Sequence, residues 1–143
     1  MTRHSAQTSP SELAAFVNDH FSARGIRPDG LIAQSWYRSV VEHRLDPGAA
    51  SRKNILCAED IRRHQQQHQQ YLSIASQGVS GLAKRVVPAG FAVLLSDENG
   101  ITLDSRLPSH DDAYTQSGLV VGARWDESMV GTNGIGTTLA AAQ

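Results

Sequence analysis

Apolar positions in the first third of the chain recur at helical spacing. Leu13, Phe16, Val17 and Phe21 form one stripe. Ser9, Pro10 and Glu12 ahead of it supply an N-cap, a first-turn proline and a capping-box glutamate, and Gly25 is a terminator. A helix is predicted over about 10–24. A second follows the turn at Pro28-Asp29-Gly30, over about 30–44. There Ile32, Trp36 and Val40 sit four apart and Ala33, Tyr37 and Val41 follow one residue later, with Arg38, Glu42 and Arg44 mostly on the opposite side. This face puts Trp36 in the core. A third helical stretch is predicted over about 58–86. Its first half, EDIRRHQQQHQQ, reads as a solvated face, and its second half carries a seam at Leu72, Ala75, Val79, Leu82 and Val86. Gly78 and Gly81 are the expected weak points of that helix.

After Pro88-Ala89-Gly90 the pattern changes from period 3.6 to extended. Phe91 to Leu95 is a compact apolar run, Asn99-Gly100 is a turn signal and Ile101 to Leu103 follows, so a β-hairpin is predicted. Residues 104–118 read as a loop or short helix and Leu119 to Val121 as a further extended piece. A glycine-rich loop then leads through GTNGIGTT into a helix at TTLAAAQ. Helices first and a hairpin afterwards, without βαβ alternation, give an α+β fold class. The expected division is a helical lead-in over 1–89 and a mixed segment over 90–143.

Composition narrows the function classes. The 143 residues carry a formal net charge of −1 and 40% apolar residues, which excludes a disordered chain and provides no field for direct nucleic-acid binding. The N-terminus lacks a signal-peptide core and no apolar run is long enough to span a bilayer, so the expected address is the cytoplasm, without membrane association. Cys57 is the single cysteine, which rules out an internal disulfide.

Motifs for chemistry are weak. GTNGIGTT has P-loop glycine spacing, but Thr137 stands where the lysine belongs. Its glycines are read first as a tight turn into a helix and second as the lip of a pocket. His64 and His68 are four apart on a helix, yet zinc sites need at least three protein ligands and no third is visible nearby in sequence. The adjacent carboxylates Asp111-Asp112 and Asp126-Glu127 are read as solvated or turn-forming. No nucleophile elbow is present. No metal, cofactor or catalytic residue is therefore assigned.

Three blocks, in this order, resemble one family. IAQSWYRSVVEHRLDP (32–47), FAVLLSDENGITLD (91–104) and GLVVGARWDESMVGTNGIGTTLA (118–140) are similar to the corresponding blocks of sigma-54-dependent transcriptional activators of the acetoin-catabolism type. The last block is the specific one, combining Gly122, Trp125, Glu127 and the GTNGIGT run. The resemblance covers about residues 30–143. It implies that 90–143 is the N-terminal half of a GAF-like sensor domain, an antiparallel sheet flanked by helices. The chain is then expected to be the non-catalytic sensory region of a larger activator, whose ATPase and DNA-binding domains are its partners. A small-molecule effector of unknown identity is expected as its ligand, and a homodimer as its assembly. Half of a sheet would leave edges that favour pairing. Leu103, Trp125, Met129, Thr132 and Asn133 are the expected effector contacts, the first three as apolar walls and the last two as hydrogen-bonding groups. The alternative is a structural dimerisation module without a ligand, resting on the Leu72-to-Val86 seam.

Overall fold

The computed structural model describes Ala15 and residues 30–47, 49, 54–109 and 112–142. The helix read over 10–24 lies outside the described residues apart from Ala15, as does Asp111. Contacts group the chain into two compact units, one of Met1–Arg52 with Glu127–Gln143 and one of Lys53–Asp126. The fold is α+β. No described helix is long and apolar enough to cross a membrane.

In the unit Lys53–Asp126, α2 (Ala58–Gln67) and α3 (Gln69–Val86) replace the single helix expected over 58–86. The break falls at His68 (φ −102°, ψ 18°), while the helix continues through Gly78 and Gly81. The reason is local competition for one carbonyl: both the His68 amide (3.0 Å) and its ring Nδ1 (2.8 Å) approach the His64 oxygen. The seam on α3 is present, with Val79 and Ala83 buried and Leu72, Ala75 and Val86 half-buried. Leu82 is 50% exposed, and Ala83 takes its place against the sheet side. Val79, Ala83 and Val93 form a core that Val86, Val87 and Leu95 extend.

The hairpin forms as β1 (Val93–Ser96) antiparallel to β2 (Thr102–Arg106), in the register Val93 opposite Arg106 and Ser96 opposite Thr102, with a bulge between Leu95 and Ser96. Asp97 builds the turn. Its Oδ1 accepts from the amides of Asn99 (2.9 Å) and Ile101 (2.8 Å), and Gly100 takes a positive φ of 75°. Leu103, at 1% exposure, is the most buried large side chain described.

The extended piece read over 119–121 is displaced. A short helix, α4 (Asp112–Gln116), ends in a left-handed Gly118 with Gly118 N–H donating to Thr115 O and Leu119 N–H to Tyr114 O. This cap consumes residues 118–119, and β pairing starts only at Gly122. Thr102 N–H donates to Ala123 O (2.9 Å) and Gly122 N–H to Thr102 O (2.8 Å). On the far side of this segment Leu56 N–H donates to Gly122 O and Arg124 N–H to Asn54 O. The edge of β2 expected to be open is therefore covered from within the chain, with single bridges at Ile55–Ala123 and Ile101–Arg124.

In the other unit, α1 (Leu31–Tyr37) follows Gly30 at φ 88° and passes into a wider turn over Arg38–Glu42, where His43 N–H reaches back five residues to Arg38 O. Arg44, at φ 55°, is the one described non-glycine residue in the left-handed region and ends the helix. The face expected to be buried is only half-buried, at Ala33, Trp36, Tyr37, Val40 and Val41, and the fully buried positions are two serines. Ser35 and Ser39 are at 0% and 5% exposure, Trp36 is half-buried, and Ile32 and Leu31 are about half exposed. Two further short helices, α5 (Glu127–Val130) and α6 (Gly134–Ala141), complete this unit.

Candidate functional site

The serines of α1 are buried by a polar network within its unit. Glu127, at 5% exposure, opens α5. Arg38 grips its carboxylate with two donors, Nε to Oε2 at 2.6 Å and Nη2 to Oε1 at 3.0 Å. Ser35 Oγ donates to Oε1 at 2.5 Å and also stands 2.8 Å from Thr132 Oγ1 and 2.9 Å from Thr137 Oγ1. One hydroxyl proton serves one acceptor at a time, and the carboxylate, which only accepts, is the stronger claimant. Ser39 Oγ lies 3.3 Å from Thr132 Oγ1. Burial works to raise the Glu127 pKa, but hydrogen bonds from Arg38, Ser35 and Thr137, with the Arg38 charge, outweigh it and hold the carboxyl below its ordinary range. Arg38 and Glu127, read from sequence as surface groups, are thus a half-shielded cation on a buried anion.

Gly131 and Asn133 shape the loop between α5 and α6. Gly131 has φ 77°, a left-handed backbone that favours glycine, while Ser39 and Leu45, 3.7–3.8 Å from where a Cβ would sit, leave room for one. Asn133 Oδ1 accepts from the amides of Ile135 (3.0 Å) and Gly136 (2.8 Å), and its Nδ2 donates to Gly131 O (2.8 Å). It is the N-cap of α6, so the turn-into-helix role of GTNGIGTT holds. Asn133→Ala is expected to cost about 1 kcal/mol, with Asn133→Asp retaining most of it; urea unfolding of the three proteins checks this.

The expected effector contacts divide between the two units. Leu103 and Trp125 belong to Lys53–Asp126. Leu103 is in the core, and Trp125 is half-buried with Nε1 donating to Thr102 Oγ1 at 3.0 Å and its amide to Gly100 O at 2.9 Å. Met129, Thr132 and Asn133 belong to the other unit, where Met129 is half-buried and Thr132 and Asn133 are engaged as described. Sequence reasoning missed Ser35, Ser39 and Thr137 as a group. Their signal is small hydroxyl residues on a helix face, which hydrophobic patterning scores as neutral.

The histidines of α2 are also placed differently from expectation. Ile61, His64, Gln65 and His68 form the half-buried side of that helix, not a solvated one. Gln65 Nε2 donates to Leu103 O at 3.1 Å. His64 Nδ1 comes within 3.3 Å of Asp97 Oδ2, and His68 Nε2 within 3.2 Å of Glu98 Oε2. The hydrogen bond to the His64 carbonyl, with Glu98 adding to it against burial, raises the His68 pKa above its ordinary value. Cys57 is exposed at the N-cap of α2, its Sγ 3.3 Å from Asp60.

These motifs have counterparts in known regulators. Over 119 residues, 82% of this chain, it is 37% identical to the acetoin catabolism regulatory protein of Cupriavidus necator. The chain is a homologue of a segment of acetoin regulators. A second relative, the acetoin dehydrogenase operon transcriptional activator AcoR of Bacillus subtilis, is 29% identical over 111 residues, 76% of the chain. In both cases the matched part is 18% of the relative's length, so the chain spans about a fifth of the acetoin regulators it matches. No family model matches the chain, and no solved structure matches it.

Proposed function

We propose that the chain is the ligand-sensing, non-catalytic regulatory region of a bacterial sigma-54-dependent transcriptional activator, with residues 90–143 the first half of a GAF-like sensor. The supporting observation is convergence. Ser35, Arg38 and Ser39 from one motif and Glu127, Thr132 and Thr137 from another form one buried network, in a chain homologous to acetoin regulators. A ligand that binds one arrangement of this network better than another would shift the balance between them. The relatives are named for acetoin catabolism and an acetoin dehydrogenase operon, so ketols, diols and aldehydes are the first effector candidates. Of the residues expected to contact the effector, Met129, Thr132 and Asn133 lie in the unit that holds this network and are its proposed contacts. ATPase and DNA-binding domains of the parent protein are the proposed partners, and the cytoplasm the proposed location.

A structural dimerisation module is the second reading. It is favoured by exposed apolar side chains on and after α3, with Tyr71 at 43%, Ile74 at 73%, Leu82 at 50% and Phe91 at 64%. One set of samples separates the two. Thermal unfolding is measured with and without a panel of ketols, diols and aldehydes, and light scattering gives the mass. The sensing reading expects a ligand-dependent rise in Tm that saturates. A dimer without any such rise favours the second reading, and a monomer without it overturns both.

A further inference from the structure

We propose that His64, His68 and Asp97, joined by Glu98, form a divalent transition-metal site, with Zn2+ the best-matched ion. In sequence the two histidines lack a third ligand; the hairpin turn supplies it. The donor atoms of His64, His68 and Asp97 all lie within 4.8 Å of one another.

His68 and Asp97 are already held in position for coordination. His68 Nδ1 is 2.8 Å from the His64 carbonyl, which places its proton there and leaves Nε2 as a lone-pair donor, the usual outer-shell arrangement of a metal-binding histidine. Asp97 Oδ1 is held by two backbone amides, so Oδ2 is aimed by the turn and not free to swing. The Asp97 side chain is fully buried. Oδ2 and His64 Nδ1 are both buried polar atoms without a hydrogen-bond partner, 3.3 Å apart. They face each other as a histidine–carboxylate pair, and an ion between them would satisfy both. Two ligands at 2.0–2.1 Å from a tetrahedral ion stand about 3.3–3.4 Å apart, which is the separation these atoms already have. Glu98, 74% exposed and 3.2 Å from His68 Nε2, is the solvent-facing fourth ligand. Two imidazoles with two carboxylates suit Zn2+ over Ca2+ or Mg2+, which take oxygen sets. The break at His68 belongs to the same design, because it sets the second ring beside the hairpin turn. A bound ion would staple the α2–α3 junction to that turn.

The test is titration of the purified full chain, stripped with chelator, with Zn2+ by calorimetry and with Co2+ by visible absorption. One ion per chain is expected, with the intense visible bands of tetrahedral Co2+ and a chelator-reversible rise in Tm. His68→Gln and Asp97→Asn should each weaken Zn2+ binding at least tenfold, and Glu98→Ala, a surface change that leaves folding intact, several-fold. His43→Ala should leave it unchanged. Circular dichroism confirms that each variant is folded. Absence of one-to-one binding, or binding that survives Glu98→Ala and His68→Gln undiminished, overturns the proposal. This outcome is independent of whether an organic effector shifts Tm.

Discussion

Replacing Arg38 by methionine is expected to destabilise the protein by about 3–5 kcal/mol, because it leaves a buried carboxylate without its cation. The Glu127 side chain is 4% exposed, and the hydroxyls of Ser35 and Thr137 cannot neutralise it. Glu127→Gln removes the charge together with the ion pair and should cost less, about 1–3 kcal/mol. The double variant Arg38→Met/Glu127→Gln should then be more stable than Arg38→Met alone, so the cycle is non-additive. Denaturant unfolding of the four proteins measures this. A loss below about 1 kcal/mol for Arg38→Met would place the pair among ordinary surface salt bridges and defeat the argument.

The same pair sets an acid limit. Glu127 has a folded-state pKa below its ordinary 4.5. A depressed carboxyl pKa contributes stability that is present above the unfolded value and lost as pH falls through the folded one. Stability of the wild type should therefore begin to fall near pH 4.5 and keep falling below it. In Glu127→Gln this component of the acid slope should be absent, which unfolding at stepped pH reads directly.

Gly122→Ala is expected to cost about 2–5 kcal/mol. Gly122 has φ 86°, and an added Cβ would lie 2.5 Å from Ile61 Cδ1 and 2.6 Å from Cγ1. The left-handed backbone accounts for about 1–2 kcal/mol and the overlap for about 1–3. Gly122 cannot shift easily, since its amide is bonded to Thr102 O and its carbonyl to Leu56 N–H. In an Ile61→Ala background the overlap disappears, so the added cost of Gly122→Ala should shrink to the backbone part. Equal costs in the two backgrounds would show that Ile61 does not touch this glycine.

Local chemistry was legible in the sequence where it acts through neighbours. The hairpin at Asn99-Gly100, the helical seam of Leu72, Ala75, Val79 and Val86, and the glycine-rich turn into the last helix all follow from residues within a few positions of one another. The break at His68 was hidden, because it depends on one ring reaching a carbonyl four residues back rather than on a weak helix former. The displaced extended piece was hidden for a similar reason: the glycine cap at Gly118 takes up the residues that a hydrophobic run would give to a strand.

The functional clusters were the least legible. Ser35 and Glu127 are 92 residues apart, and His68 and Glu98 are 30 apart. Nothing in the periodicity of α1 signals that its serine side is the buried one, since hydroxyls become core groups only when a distant carboxylate and two threonines satisfy them. Likewise two histidines on a polar helix become a coordination set only when a hairpin turn brings Asp97 against them. By itself the sequence determined the hairpin, the helical seam, the turn residues, the α+β class and the resemblance to acetoin regulators, because propensity, turn chemistry and motif spacing are local properties. Only the tertiary structure decided which polar residues are buried and with whom, because desolvation and pairing depend on groups that the chain brings together after it has folded.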